Sequence, residues 1–212
     1  MDLFNYFRSS ASYRVRIALA LKGLPYDYKA VHLQKNEQTS ESYGAVSAAR
    51  LVPLLKDGDA YVHQSLAIIE YLDETHPTPA FLPKEPAARA RVRGLALAIA
   101  ADIHPINNTR VLGYLEKQLG LDQAARDAWA RNWIEIGFRA LETTLAGSKE
   151  TGRFCHGDTP GLADICLVPQ VANAARVNTD MAPYPTIGRI VAACLALPAF
   201  QKAQPQNQPD AE

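Results

Sequence analysis

Cysteine and long hydrophobic runs are both scarce in this sequence, and each shortage excludes a class of protein. The only cysteines are Cys155, Cys166 and Cys194, too few and too scattered for a disulfide framework. No apolar run approaches the roughly 20 residues that a membrane-spanning helix needs. The first residues also lack the charged and apolar regions of a signal peptide. We therefore expect a cytoplasmic protein in a reducing setting, without a membrane partner.

Neither positive nor negative charge is in excess. The 22 basic residues balance the 22 acidic ones, which gives no reason to expect nucleic acid or an anionic membrane as a partner. Hydrophobic residues, in contrast, make up 48% of the 212 positions. A chain of this length and composition can form one large domain or two small ones.

The first 76 residues alternate between strand-like and helix-like segments. Their patterns predict strands at 3–7, 26–32, 51–55 and 60–63, and helices at 12–21 and 65–74, the second capped by Ser65. This order of a βαβ unit, a hairpin and a helix predicts a thioredoxin-like α/β domain. Pro53 stands at a strand entrance, where either an ordinary trans bond or a cis bond fits. A cis bond there would leave the Val52 backbone free to pair with an extended ligand.

Prolines then mark a linker at 77–86, and no strand-like alternation follows it. Residues 87–212 are predicted to form an all-helical domain, with helices at 87–106, 108–119 and 123–146. Pro169 is expected to bend or end a helix. The segment 204–212 is rich in Gln, Pro and Asp and is expected to be loose.

A serine-rich turn connects the first predicted strand to the first predicted helix. Ser9, Ser10 and Ser12 each fit the N-cap position. Hydroxyls and free N–H groups at the positive end of a helix dipole suit a phosphate, a carboxylate or a thiolate. An ordinary helix cap with nothing bound fits the same residues.

The sequence from Ser9 to Leu19, with Tyr13-Arg14-Val15-Arg16 at its centre, closely resembles the signature of zeta-class glutathione transferases. Gln64-Ser65 resembles the glutathione-binding pair of that family, and the resemblance continues through 78–83 and 167–174. It implies the glutathione transferase fold, an α/β thioredoxin-like N-terminal domain plus an all-α C-terminal domain, and a homodimer. Two residues depart from the pattern: Ala11 replaces a cysteine, and Gly161 replaces a capping Ser or Thr three residues before Asp164. We expect the cysteine to be dispensable and the Asp164 turn to survive.

The resemblance also implies a reaction, the glutathione-dependent cis–trans isomerisation of a maleyl-keto acid to its fumaryl form. Reversible addition of a thiolate would remove the π bond and permit rotation. Maleylacetoacetate is the first choice of substrate and maleylpyruvate the second. A general glutathione S-transferase or a dehalogenase of small α-halo acids is an alternative from another enzyme class, and a non-catalytic glutathione-fold binding module is a third.

Site residues follow from the same resemblance. Ser9 is the expected activator of the thiol, with Ser10 able to assist it and Arg8 beside it. The residues expected to contact glutathione are Ser9, Gln38, Val52, Gln64, Ser65, His104 and Asn108. A dicarboxylate substrate calls for positive charge, and the candidates are Arg8, Arg110 and Arg176. Arg14 and Arg16 are expected to bridge the first helix to the neighbouring domain. No metal site is expected.

Overall fold

The computed structural model describes residues 1–212 and divides into two compact units. The first comprises residues 1–80 together with 195–212, and the second comprises 81–194. The strands are β1 (Asp2–Asn5), β2 (Asp27–Ala30), β3 (Leu54–Asp57) and β4 (Ala60–His63). The helices are α1 (Ser10–Leu21), α2 (Glu41–Val46), α3 (Ser65–Thr75), α4 (Pro86–Leu97), α5 (Thr109–Lys117), α6 (Gln123–Ala146), α7 (Leu162–Arg176), α8 (Pro185–Leu195) and α9 (Pro198–Lys202).

The first unit is built on a mixed sheet with the strand order β2-β1-β3-β4. Strand β1 runs parallel to β2 and antiparallel to β3, which forms a hairpin with β4. Leu3 lies opposite Leu55, and both are fully buried. Helices α1 and α3 pack against each other. The predicted α/β arrangement is therefore confirmed.

Strand β3 begins later than the sequence pattern predicts. It starts at Leu54, after a cis Val52–Pro53 peptide bond. Proline has no N–H to contribute to a β ladder, so the regular pairing starts beyond it. The hairpin closes at the pair Asp57–Ala60. Gly58 adopts a φ of 57° there, a conformation that two-residue hairpin loops favour.

The expectation of a loose tail at 204–212 is wrong, because these residues include a 3-10 turn at Pro205–Asn207 and Asp210 accepts from the Phe7 N–H at 3.1 Å. They form part of an attached segment, 195–212. Helix α9 packs against α1, and the Arg16 side chain donates from Nε to the Ala203 carbonyl at 3.1 Å. The segment therefore belongs to the first unit, although the predicted helical domain extended to residue 212. Its attachment uses side-chain hydrogen bonds, which leave no periodic pattern in the sequence.

The second unit is helical. Helix α4 packs against α7 and continues into a π-helical turn at Ala98–Ile103, followed by a 3-10 turn at Pro105–Asn107. The single helix predicted at 87–106 is thus interrupted before Pro105, whose missing N–H and ring oppose a regular helix. Pro169, in contrast, lies inside α7 without ending it. None of the helices is both long and apolar enough to cross a membrane.

Asp164 organises the start of α7, as expected. Its Oδ2 accepts from the Gly161 N–H at 2.9 Å, and its Oδ1 accepts from the Cys155 N–H at 2.8 Å. A Cβ atom on Gly161 would lie 2.8 Å from the Phe81 carbonyl oxygen, which explains why glycine is suitable here. Burial raises the pKa of Asp164 and that of the Cys155 thiol. Cys155 is buried, and its thiolate, the reactive form of a cysteine, is disfavoured there.

Candidate active site

Ser9 is the N-cap residue of α1. Its backbone is extended, with φ −69° and ψ 118°, and its Oγ accepts from the Ser12 N–H at 3.2 Å. Accepting this bond uses a lone pair and leaves the hydroxyl hydrogen available. Ser9 is half-buried, so it can donate to a ligand atom placed at the positive end of the helix.

The other serines of the turn are inside the helix. Ser10 is the first helical residue and is buried, while the Ser12 Oγ accepts from the Tyr6 N–H at 3.5 Å. Ala11 is half-buried in the first turn, and Arg8, just before the cap, is exposed. Of the three serines, Ser9 therefore best combines the cap position with an accessible hydroxyl.

Gln64 occupies the cap position of α3 in an unusual backbone conformation. Its φ is 68° and its ψ 123°, and its side chain makes no capping bond. A residue other than glycine at positive φ is uncommon, and such residues cluster at functional sites. Ser65, predicted as the cap, is instead the first helical residue. Without a side-chain cap, the first turn of α3 is suited to receive a carboxylate.

Two further residues of the first unit have polar groups without a partner within the chain. The half-buried Val52 makes no backbone hydrogen bond, and the buried Oε1 of Gln38 has no partner. Most buried polar groups in proteins are hydrogen-bonded. The buried Gln38 Oε1 therefore fits a ligand that supplies a donor, and the Val52 N–H and carbonyl are open to pairing with an extended, peptide-like ligand.

Arg14 supports the site and was not among the predicted site residues. It is 2% exposed and donates from Nη1 to the Ser65 Oγ at 3.2 Å, which connects α1 to the start of α3. A recognisable signal was present in the sequence, because Arg14 and Arg16 interrupt an otherwise apolar helix. Arg14 and Arg16 were both expected to bridge to the neighbouring domain. The Arg14 bond to Ser65 stays within the first unit, whereas Arg16 reaches Ala203, which lies in the predicted helical domain 87–212 but belongs to the first unit in the structure.

The remaining predicted residues belong to the second unit. His104 is half-buried after the π-helical turn, a feature that is frequent at functional sites. Asn108 caps α5, where its Oδ1 accepts from the Arg110 N–H at 3.0 Å and from the next N–H at 3.1 Å. Arg110 and Arg176 are exposed, the latter in the last turn of α7. The structure thus shows a capping role for Asn108. Contacts with a ligand stay predictions for all four residues of this unit, His104, Asn108, Arg110 and Arg176.

Metal ligands are not assembled in this protein. No group of three or more His, Cys, Asp or Glu side chains is arranged to hold a metal ion. The residues described at this site can supply hydrogen-bond donation from Ser9, the dipoles of α1 and α3, and the charge of Arg8.

Comparison with known proteins identifies the family. Residues 3–80 match the model of the glutathione S-transferase N-terminal domain. The chain is 51% identical over 210 residues to a maleylpyruvate isomerase of Ralstonia sp, covering 99% of both chains.

Comparison with solved structures leads to the same family. A holo maleylpyruvate isomerase, described as a bacterial glutathione S-transferase of the zeta class, has a TM-score of 0.99 at 50% identity, with all of both chains covered. A maleylacetoacetate isomerase from Methylobacterium extorquens AM1, with malonate and glutathione bound, has a TM-score of 0.97 at 40% identity over the whole of both chains. This chain has the glutathione transferase fold and belongs to the zeta class of glutathione transferases, the family of the maleylacetoacetate and maleylpyruvate isomerases.

Proposed function

We propose that this chain is a glutathione-dependent isomerase that converts a maleyl-keto acid to its fumaryl isomer. The observation that carries the proposal is the identity of about half of all residues, over the full chain, with a maleylpyruvate isomerase. The maleylacetoacetate isomerase of Rattus norvegicus matches almost as well, at 47% identity over 210 residues. Bound glutathione supplies a thiolate that can add to the double bond and leave again, so that rotation occurs about a single bond.

Ser9 is proposed to hold that sulfur in its thiolate form. Its hydroxyl has already accepted from the Ser12 N–H, which orients the hydrogen away from the helix. Donation to the sulfur and the α1 dipole both favour the charged form of the thiol. Ser10 can assist only after its buried side chain is uncovered, so its catalytic role is the weaker proposal.

Glutathione is proposed to bind along the edge of the first unit. The first turn of α3, with Gln64 and Ser65, would receive the γ-glutamyl carboxylate. The Val52 backbone would pair with the cysteinyl part, and the Gln38 amide would contact the glycyl end. The unsatisfied groups of Val52 and Gln38 support this fit.

Arginine is the proposed recognition element for the substrate carboxylates. Arg8 directly precedes Ser9 and is exposed, so its guanidinium can pair with a carboxylate near the sulfur. From the second unit, Arg110 and Arg176 are proposed for the substrate, and His104 and Asn108 for glutathione. A homodimer in the cytoplasm completes the proposal, on family resemblance and on composition.

An absorbance assay tests the function. Maleylacetoacetate and maleylpyruvate are prepared separately, and conversion to each fumaryl isomer is followed with and without glutathione. Rapid glutathione-dependent turnover of either acid is the expected result, and the faster acid identifies the preferred substrate. Turnover of neither acid, accompanied by halide release from a small α-halo acid, would replace the isomerase with a dehalogenase.

A further inference from the structure

The peptide groups just before the serine turn are held by two charged side chains. The Phe7 N–H donates to the Asp210 Oδ2 at 3.1 Å, and the Phe7 carbonyl accepts from the Arg16 Nη2 at 2.9 Å. Both backbone polar groups of one residue are thus bound by side chains of opposite charge. Charge-assisted hydrogen bonds of this kind are stronger than neutral ones.

These contacts continue to Ser9 through the Tyr6 carbonyl. That oxygen accepts from the Ser9 N–H at 3.0 Å and from the Arg16 Nη1 at 3.2 Å. Arg16 itself is 1% exposed and is held by the Asn5 Oδ1 at 3.0 Å and by the Ala203 carbonyl. Hydrogen bonds from a small number of side chains therefore fix the path of the backbone from Phe7 to Ser9.

Asp210 is held in turn by the sheet. Its Oδ1 accepts from the Tyr28 hydroxyl on β2, while its Oδ2 faces Phe7. Burial, and then the hydrogen bond to Asp210, raise the pKa of Tyr28. The phenol consequently stays a donor over the whole working pH range. One carboxylate of the segment 195–212 thus connects β2 to the turn that carries Arg8 and Ser9.

We propose that Asp210 is a positioning residue of the active site, which fixes the Arg8–Ser9 turn through the Phe7 N–H. This inference rests on the proposed function, in which Ser9 must point its hydroxyl at the glutathione sulfur. A displacement of about 1 Å at a reacting group can lower a rate about a hundredfold. Loss of the Asp210 contact is therefore expected to lower kcat at least about tenfold.

The test compares D210A with D210N and E212Q in the full-length protein. The asparagine variant keeps an oxygen that can accept from the Phe7 N–H, and it should recover most of the lost kcat. Glu212 is the matched control, because it is a carboxylate of the same segment that pairs with Lys35 and His32 instead of the turn. E212Q should retain the parental kcat.

A second readout separates positioning from stability. The pKa of bound glutathione is measured by ultraviolet titration of its thiolate, at a temperature where circular dichroism shows each variant to be folded. A higher thiol pKa and lower kcat in D210A, with both largely restored in D210N, support the proposal. An unchanged thiol pKa and kcat in folded D210A overturn it, even if the melting temperature falls. A D210N defect as large as that of D210A also overturns it.

The same titration distinguishes failure of the inference from failure of the proposed function. If the parental protein binds glutathione with a lowered thiol pKa but isomerises neither maleyl acid, the proposed function fails. The D210A titration still decides the role of Asp210 in that case.

Discussion

Replacing Ser9 removes two interactions whose magnitudes can be estimated separately. Its Oγ caps α1 at the Ser12 N–H, and loss of an N-cap costs about 1 kcal/mol of stability. Its hydrogen is proposed to stabilise the thiolate, and a hydrogen bond to a charged group contributes about 1.5–3 kcal/mol. Since one pKa unit corresponds to 1.36 kcal/mol, S9A should raise the pKa of the bound thiol by about one to two units.

The pH profile tests this estimate. At a pH below the thiol pKa of both proteins, each unit of increase lowers the thiolate fraction about tenfold, so kcat of S9A should fall there about ten- to a hundredfold. The limb of the profile that rises with pH should move to higher pH by the same one to two units. S9T, which retains the hydroxyl, should have a kcat and a pH profile close to those of the parental protein.

Two variants separate the helix-capping role of Ser9 from its proposed role in stabilising the thiolate. S9G removes the hydroxyl while keeping a tolerable cap, at a cost of a few tenths of a kcal/mol, and it should lose as much kcat as S9A. S40A removes the matching cap of α2, where the Ser40 Oγ accepts from the Tyr43 N–H at the same 3.2 Å. It should lower the melting temperature by about 2–4 °C and leave kcat unchanged. Equal kcat and equal thiol pKa in S9G and the parental protein would refute the assignment of Ser9.

Three further outcomes follow from the structure. A11C should leave kcat unchanged, because glutathione supplies the thiol, while adding a cysteine at a helix N-terminus that reacts readily with an alkylating agent; a large gain in kcat would contradict this. G161A should destabilise the protein by about 1–3 kcal/mol in urea unfolding, since its Cβ would lie 2.8 Å from the Phe81 carbonyl; an unchanged unfolding midpoint would be the contrary result. Hydrogen bonds from Lys35 and His32 lower the pKa of Glu212 below its ordinary value of 4.5. The stability that the ionised Glu212 contributes is therefore present above pH 4.5 and is lost as the pH falls through the lowered pKa. The melting temperatures of E212Q and the parental protein should therefore converge in acid, and a gap that widens there would exclude this pairing.

Much of the first unit could be predicted because its signals are local. Alternating apolar residues, the turn at Gly58 and the helical spacing after Ser65 depend only on neighbouring positions. The strands and helices consequently lie close to their predicted places. The boundaries differ from the predicted ones by one or two residues at β1, β2, α1 and α3. Proline accounts for the later start of β3 after Pro53 and, in the second unit, for the interruption of the predicted helix before Pro105.

Contacts between distant positions could not be predicted in this way. The Phe7–Asp210 hydrogen bond joins residues 203 positions apart, and no periodic pattern in the sequence indicates it. The polar composition of 204–212 is typical of loose chain, yet the carboxylates of this segment are what attach it to the first unit. In the candidate site, the family signature led to the proposal of Ser9 and Gln64, whereas the contact of Arg14 with Ser65 required coordinates.

The central claim is that glutathione acts as a catalyst and is returned unchanged. The most direct measurement supplies glutathione at a small fraction of the maleyl-keto acid concentration and follows both the fumaryl product and the free thiol to the end of the reaction. Complete conversion with the full amount of free thiol remaining is the predicted result. Conversion that stops once the thiol is consumed, or that proceeds equally well without glutathione, would contradict the account.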